Sequence, residues 1–167
     1  MQINIEKASA SDAAEILKYL RQVGSETDNL TFGAEGLPFS VEAETKYLTQ
    51  LEKSRDEVIF LAKADSQIVG IASLSRLPRR MNHRGELAIS VIKSYWNCGI
   101  GSRLMAQLLS FAKENAFEII DLQVRSDNSS AIHLYCKYGF QKVGTHPAFF
   151  KVDGALVPFD LMYLRLK

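Results

Sequence analysis

The spacing of apolar residues near the start of the chain predicts a strand followed by a helix. Residues 2–7 alternate polar and apolar positions, which is typical of a half-buried strand. Ser9 and Asp12 then have the spacing of a helix N-cap followed by an acid. From Ala13 to Val23 apolar residues recur at helical spacing, with charged residues opposite them, so we expect the first helix there.

The remaining chain continues to alternate between strand-like and helix-like patterns. Residues 24–39 hold three glycines and a proline without a sustained period, so we expect a long loop, which compact domains usually keep for a purpose. The further predicted elements are a helix from Ser40 to Lys53, a hairpin of residues 58–62 and 68–72, a strand from Glu86 to Ile92, a helix from Ile100, a strand from Ile119 to Val124, a short helix from Asn128 to Gly139, and a hairpin turning at Asp153-Gly154. This order predicts an α/β protein with a mixed sheet flanked by helices.

Composition indicates an ordinary folded protein. Hydrophobic residues make up 47% of the 167 positions and charged residues 23%, and no linker or repeat divides the chain. We therefore expect one domain over residues 1–167. Twenty Lys and Arg oppose nineteen Asp and Glu, so the net charge of +1 gives no reason to expect a nucleic-acid or membrane-surface partner.

Targeting and cysteine patterns favour a cytoplasmic protein. The first residues lack the apolar core of a signal peptide, and the most apolar helical stretch, residues 104–112, is too short to cross a bilayer. Cys98 and Cys136 have no second pair and no zinc-like spacing, so we expect two free thiols and no metal site.

The segment from Trp96 to Ser102 is the sharpest chemical feature. It joins a predicted strand to a predicted helix, so its backbone N–H groups point outward at the positive end of the helix dipole, where phosphates bind. Gly99 and Gly101 remove side chains from the path of an approaching anion, although a tight turn without a ligand would also use them. A dinucleotide-binding unit would need a third glycine at the position of Leu104, so that alternative is disfavoured.

Two segments resemble the GNAT superfamily of acetyl-CoA-dependent N-acetyltransferases. The first, Val91 with Trp96, Gly99-Ile100-Gly101 and Leu104, is similar to that family's pyrophosphate-binding segment, although Trp96 stands where Gln or Arg is usual. The second has the order and spacing of the family's other conserved segment, through Asn128, Ala131, Leu134-Tyr135 and Tyr138-Gly139-Phe140. The resemblance extends over nearly the whole chain.

The resemblance implies a single GNAT-like domain and an acetyl-CoA site. The implied fold is a mixed, mostly antiparallel sheet of about seven strands with about four helices, whose central strand pair splays apart to receive the pantetheine arm. The residues implied to bind acetyl-CoA lie along one strand, in the glycine segment and at a helix start: Ile89, Val91, Trp96, Asn97, Cys98, Gly99, Ile100, Gly101, Ser102 and Asn128. Cys98 is expected to contribute only its backbone.

Transfer of an acetyl group to an amine needs a base for the amine and an acid for the departing thiolate. A lysine-like amine needs about 4.6 kcal/mol to lose its proton at pH 7, against about 1 for an α-amine. The resemblance places Tyr135 as the acid and Glu86 as the base. Packing of Tyr135 against the sheet, and solvation of Glu86 at a strand end, are the alternatives. His83 is the next candidate base, ahead of His133 and His146.

The amine acceptor is expected, by family analogy, between residues 25–32 and the hairpin of residues 146–158. Glu26 and Asp28 either hold a cationic amine or only solvate a loop. The predicted reaction is acetyl transfer to a primary amine of a small molecule or a protein N-terminus, by direct attack in a ternary complex. A non-catalytic acetyl-CoA sensor is the alternative, and a homodimer stays open. A basic cluster is expected to form an exposed loop, or alternatively to contact the coenzyme's phosphates or an acidic partner: Arg76, Arg79, Arg80, His83 and Arg84.

Overall fold

The computed structural model describes residues 2–166. The strands are β1 (Ile3–Lys7), β2 (Glu57–Ala64), β3 (Gln67–Arg76), β4 (Arg84–Val91), β5 (Ile119–Arg125), β6 (Gln141–Val152) and β7 (Ala155–Arg165). The helices are α1 (Ala13–Glu26), α2 (Val41–Leu51), α3 (Ile100–Glu114) and α4 (Ser129–Lys137), joined by short 3-10 turns at Ala10–Asp12, Arg79–Met81 and Lys93–Tyr95.

All seven strands form one sheet in the order β1-β2-β3-β4-β5-β7-β6. Every neighbouring pair is antiparallel except β4 and β5, which run parallel. The predicted mixed, mostly antiparallel sheet is therefore confirmed. A parallel pair needs a crossover connection, and α3 supplies it between β4 and β5.

The helices cover the two faces of the sheet unequally. On one face α3 packs so closely that a Cβ at Gly70 of β3 would lie 3.1 Å from side-chain atoms of Ile100 and Leu104. Leu104 is fully buried there. On the opposite face lie α1 and α2, and the Tyr19 hydroxyl of α1 is 2.9 Å from Ser90 Oγ of β4. The loop between α1 and α2 spans this second face.

The central parallel pair separates soon after it begins. Pairing between β4 and β5 is confined to Arg84 with Ile119, Gly85 with Ile120, and Glu86 with Asp121. β4 nevertheless continues along β3 to Val91, and β5 continues along β7 to its last residue. The two strands therefore diverge after Glu86. We call this opening the β4–β5 fork, and it is the splay that the sequence resemblance implied.

Local sequence signals correctly predicted several boundaries of helices and turns. Ser40 Oγ accepts the Ala43 backbone N–H at 3.0 Å and begins α2. Gly139, with φ of +93°, follows α4, and Asp153 and Gly154 both have positive φ in the last hairpin. The first helix begins later than Ser9 because residues 10–12 form a 3-10 turn instead. No helix in residues 2–166 is both long and apolar enough to cross a bilayer.

Candidate active site

The turn before α3 leaves the helix N-terminus open. Asn97 and Gly99 have φ of +61° and +74°, so two left-handed residues reverse the chain immediately before the helix. Gly99 is the N-cap of α3, and a Cβ built on it would meet nothing within 4 Å. The first N–H groups of α3 have no partner within a helix. The turn therefore presents donors and the positive helix end to open space, which suits a phosphate.

The side chain of Trp96 fastens this turn to β4. Its indole Nε1–H donates to the Val91 carbonyl at 2.7 Å, although the residue is 44% exposed. Cys98 also folds back inside the turn, with Sγ 3.5 Å from the Trp96 carbonyl. The indole donor is thus used to hold the turn to β4. Backbone groups are what remains for an anion.

The edge of β4 that faces the β4–β5 fork carries open backbone groups. Leu77 N–H donates to the Arg84 carbonyl at 2.9 Å, and Ile92 N–H donates to the Val69 carbonyl at 3.0 Å, so even-numbered residues bond to β3. Backbone groups alternate sides along an antiparallel strand. Those of Leu87, Ile89 and Val91 therefore face the fork, where β5 has moved away. An extended amide-bearing ligand can bind such an edge as an added strand.

Helix α4 and the residue after it contact the start of α3. The Tyr138 hydroxyl donates to the Ser102 carbonyl at 2.8 Å and lies 3.0 Å from Ser102 Oγ. A Cβ at Gly101 would lie 3.1 Å from Leu134, so only a very small residue fits comfortably there. Asn128 caps α4 through its Oδ1, which accepts the Ala131 N–H at 3.3 Å. The anchoring role of Tyr138 was not predicted.

Tyr135 lies on the buried side of α4. It is 6% exposed, and its ring packs against Phe140 at a centroid distance of 5.8 Å. Burial raises the pKa of Tyr135 to about 12. Within residues 2–166 its hydroxyl has no hydrogen-bond partner, so the proton is held and remains available to a ligand atom.

Glu86 stands at the vertex of the β4–β5 fork. It is the last β4 residue paired with β5, opposite Asp121, and its neighbour on β3 is Ser75. Arg84 pairs with Asp121 at 2.8 Å. Among the described residues the exposed Glu86 carboxylate has no ion pair, and it lies where the two strands begin to separate.

A large cavity opens on the α1/α2 face of the sheet. It measures about 580 Å³, and we call it the α1–α2 cavity. Its residues come from α1, the following loop, α2 and strands β2 to β4: Ile16, Leu20, Leu30, Phe32, Leu37, Phe39, Ala43, Glu44, Tyr47, Glu57, Ile59, Ile71, Ser73, Ser75, Ala88, Ile89 and Ser90. Ile89 thus borders both this cavity and the fork. A volume of this size suits a small organic ligand.

Comparison with known proteins assigns the fold to a family. The sequence model of the acetyltransferase (GNAT) family matches residues 27–140. The chain belongs to the GNAT family. It is similar to the N-alpha-acetyltransferase RimI of Mycobacterium tuberculosis, with 39% identity over 95 residues, which cover 56% of this chain and 58% of that relative. The matched segment thus spans little more than half of that relative's length.

Two solved structures, one described as a GNAT-family acetyltransferase and one as a putative acetyltransferase, share this architecture. A GNAT-family acetyltransferase from Streptococcus pneumoniae is 28% identical, with a TM-score of 0.95, covering 99% of this chain and 100% of that one. YncA of Salmonella typhimurium, a structure described as holding its cofactor acetyl-CoA, is 16% identical with a TM-score of 0.86, covering 100% and 95%. The latter likeness concerns the fold alone.

The acidic residues Glu26 and Asp28, which were expected near the acceptor, are not among the residues that line the α1–α2 cavity. Glu26 Oε2 accepts the Lys93 backbone N–H at 2.7 Å, so it caps the 3-10 turn after β4. Asp28 and the hairpin of residues 146–158 do not line the α1–α2 cavity, whereas Leu30 and Phe32 do. His83 borders a separate cavity of about 530 Å³.

Arg76 and Arg84 have structural partners on the protein. Arg76 donates to Asp56 and to two backbone carbonyls while stacking over Phe117 at 3.8 Å. Arg84 forms the ion pair with Asp121. Of the four arginines in the predicted basic cluster, Arg79 and Arg80 are therefore the exposed ones.

Three polar residues of the α1–α2 cavity were missed by sequence reasoning. They are Glu44 and Tyr47 of α2 and Glu57 of β2. One signal was present, because Glu44 is four residues before the buried Leu48 and so lies on the apolar face of its helix. A carboxylate at such a position is rarely buried unless it is paired.

Proposed function

We propose that this chain moves an acetyl group from acetyl-CoA to a primary amine of a small molecule or a protein N-terminus, by direct attack in a ternary complex. The observation that carries the proposal is the position of β4. Its stretch around Ile89 borders the β4–β5 fork on one side and the α1–α2 cavity on the other. Two ligands entering from these sides would meet at the same strand. GNAT membership supports the same reaction.

The proposed acetyl-CoA site runs along β4 into the turn before α3. Acetyl-CoA supplies the thioester. The open backbone donors at Asn97, Gly99 and the first turn of α3 suit its pyrophosphate. The fork-facing backbone groups of Leu87, Ile89 and Val91 suit the pantetheine amides, although Trp96 already occupies the Val91 carbonyl. Further contacts are assigned to Cys98, Ile100, Gly101, Ser102 and Asn128.

We assign the proton transfers to Glu86 and Tyr135. Glu86 takes a proton from the acceptor ammonium, directly or through water, and the freed amine attacks the thioester carbonyl carbon. The C–S bond then breaks, and the departing thiolate takes the Tyr135 hydroxyl proton. The acetylated nitrogen loses its remaining extra proton to the Tyr135 oxygen, directly or through water, which gives the neutral amide and restores the tyrosine. Even with its pKa raised to about 12 by burial, Tyr135 can donate as sulfur charge develops, because the hydrogen bond to the forming thiolate precedes full transfer.

We further propose that the chain forms a single N-acetyltransferase domain working in the cytoplasm. Support for that compartment comes from Cys98 and Cys136, which are both free and exposed. Exposed free thiols persist best under reducing conditions.

The function is tested by measuring acetyl-CoA consumption against a panel of primary amines, beside acetyl-CoA binding. Tyr135→Phe should lower kcat by about 100-fold while acetyl-CoA affinity is retained. Tyr163→Phe, on β7, is the matched control and should leave kcat close to wild type. Binding of acetyl-CoA without turnover of any amine would reject the enzyme and favour a sensor.

Glu86→Gln tests the base separately. The loss of kcat should be largest for a high-pKa amine near pH 7 and should shrink as the pH approaches the amine's pKa. Glu52→Gln, an exposed residue after α2, serves as the control. A loss of the same factor at every pH and for every amine would remove Glu86 from the mechanism.

A further inference from the structure

Glu44 is a buried carboxylate that faces the α1–α2 cavity without a protein partner. The residue is 6% exposed and lines the cavity. Within residues 2–166 its carboxylate makes no ion pair and accepts no side-chain hydrogen bond. Burial raises the pKa of Glu44 for this reason. A buried carboxylate without a partner is costly for the fold, and a cationic ligand in the cavity would offset that cost.

Glu57 is a second carboxylate in the same cavity, and it is held in a fixed orientation. The Tyr47 hydroxyl donates to Glu57 Oε1, and Ser75 Oγ donates to the same oxygen at 3.1 Å. Among the described contacts Oε2 has no hydrogen bond, so one oxygen remains for a ligand. Two hydroxyl donors to one oxygen hold the carboxylate in place, and a cation can bind the other oxygen.

The rest of the cavity wall is complementary to an apolar cation. No Lys, Arg or His is among its lining residues in the part of the chain that the structure describes. Leu30, Phe32, Leu37 and Phe39 supply apolar and aromatic walls instead. A ligand carboxylate placed here would meet two acids and no counter-charge, whereas an ammonium or guanidinium would gain two carboxylates.

We propose that the acceptor is an amine carrying a second cationic group, which Glu44 and Glu57 bind while an apolar spacer fills the α1–α2 cavity. This inference rests on the proposed function and narrows its substrate class. β2, which carries Glu57, lies two strands from β4. Because neighbouring strands are about 4.8 Å apart, the second cation lies roughly 10 Å from the β4 edge where the reactive amine is needed.

Three probes of equal chain length test the second cation directly. They are an α,ω-diaminooctane, octylamine and the corresponding ω-amino-octanoate, each assayed for acetylation with the wild-type enzyme. We expect kcat/KM for the diamine to exceed that for octylamine by about tenfold or more, since a preoriented charge pair contributes on that scale, with the amino acid poorest. Equal values for the diamine and octylamine would overturn the proposal.

Isosteric variants test whether Glu44 and Glu57 cause the preference for the diamine. Glu44→Gln and Glu57→Gln should each bring the diamine-to-octylamine ratio towards one. Glu42→Gln, on the exposed side of the same helix, should retain the wild-type ratio. A ratio that persists in both cavity variants would place the selectivity elsewhere and reject the assignment. Melting curves for each variant verify that the protein remains folded.

The second cation can belong to a free diamine or to a basic side chain near a peptide N-terminus. Amidated tripeptides ending in lysine or in norleucine separate these sources. If the lysine-to-norleucine ratio of kcat/KM exceeds the diamine-to-octylamine ratio, the second cation belongs to a peptide. The opposite order identifies a small diamine. Failure of every amine with an enzyme that binds acetyl-CoA would reject the proposed function itself. Acetylation without a preference for the second cation would reject only the substrate class.

Discussion

The open turn at Gly99 makes a charge substitution there diagnostic of the acetyl-CoA site. In Gly99→Asp the new side chain projects into space that is free of protein atoms within 4 Å. If the coenzyme pyrophosphate occupies that space, the carboxylate repels it. We expect acetyl-CoA affinity to fall while the fold persists.

Gly154 provides a matched control for the backbone strain. Its φ is +80° against +74° at Gly99, and a Cβ there also meets nothing within 4 Å. A side chain in this left-handed conformation costs about 1–2 kcal/mol. Each Asp variant should therefore lower Tm by roughly 2–8 °C in a protein of this size.

Only the variant at Gly99 should also weaken binding. A unit charge about 4 Å from a phosphate charge interacts by about 1 kcal/mol in water and about 4 kcal/mol near a protein surface. The dissociation constant of acetyl-CoA, measured by calorimetry at low salt, should rise by roughly 5-fold to 1000-fold for Gly99→Asp and remain at the wild-type value for Gly154→Asp. Equal affinities in the two variants would refute the placement of the pyrophosphate.

Three further substitutions test other parts of the structure. Gly24→Ala would place a Cβ 2.1 Å from the Gly33 carbonyl oxygen, so it should displace the loop that carries Phe32 and raise KM for the amine far more than Kd for acetyl-CoA, as steady-state kinetics and calorimetry would report. The pKa of Asp160 is held low, mainly by a hydrogen bond from Ser126. Its contribution to folding stability is therefore present above the pKa of the unfolded chain and is lost as the pH falls. Asp160→Asn should lower the free energy of unfolding, measured in urea, by about 1–3 kcal/mol at pH 7 and by progressively less in acid. Burial raises the pKa of Glu44, so its charged form destabilises the fold at pH 7 and Glu44→Gln should raise Tm there. This gain should disappear as the pH falls below the pKa of the residue in the unfolded chain. A lower Tm at pH 7 would contradict the burial argument.

Local sequence signals predicted the elements and the turn before α3 because those features depend on neighbours along the chain. Ser40 and Asn128 cap their helices through N–H groups three residues away, and Gly99 adopts a backbone conformation that favours glycine. Such interactions are visible in a short window of sequence.

The acidic cavity could not be predicted in the same way. Glu44 and Glu57 lie on different elements, and only the packing of α2 against β2 brings them to one cavity. Likewise, the sequence makes Glu26 a candidate ligand-binding acid, but its carboxylate accepts a hydrogen bond from the backbone N–H of Lys93, far along the chain. Contacts between distant segments decide which of several acids remains free for a ligand.

The hydrogen bond between Trp96 and β4 gives the protein an intrinsic optical probe. The chain contains a single tryptophan, and its partly exposed indole is fixed to the Val91 carbonyl beside the proposed coenzyme groove. Its fluorescence therefore reports on this turn and on no other part of the molecule. A titration of the unlabelled protein can consequently follow events at the mouth of the groove in real time, through changes in emission wavelength and quenching.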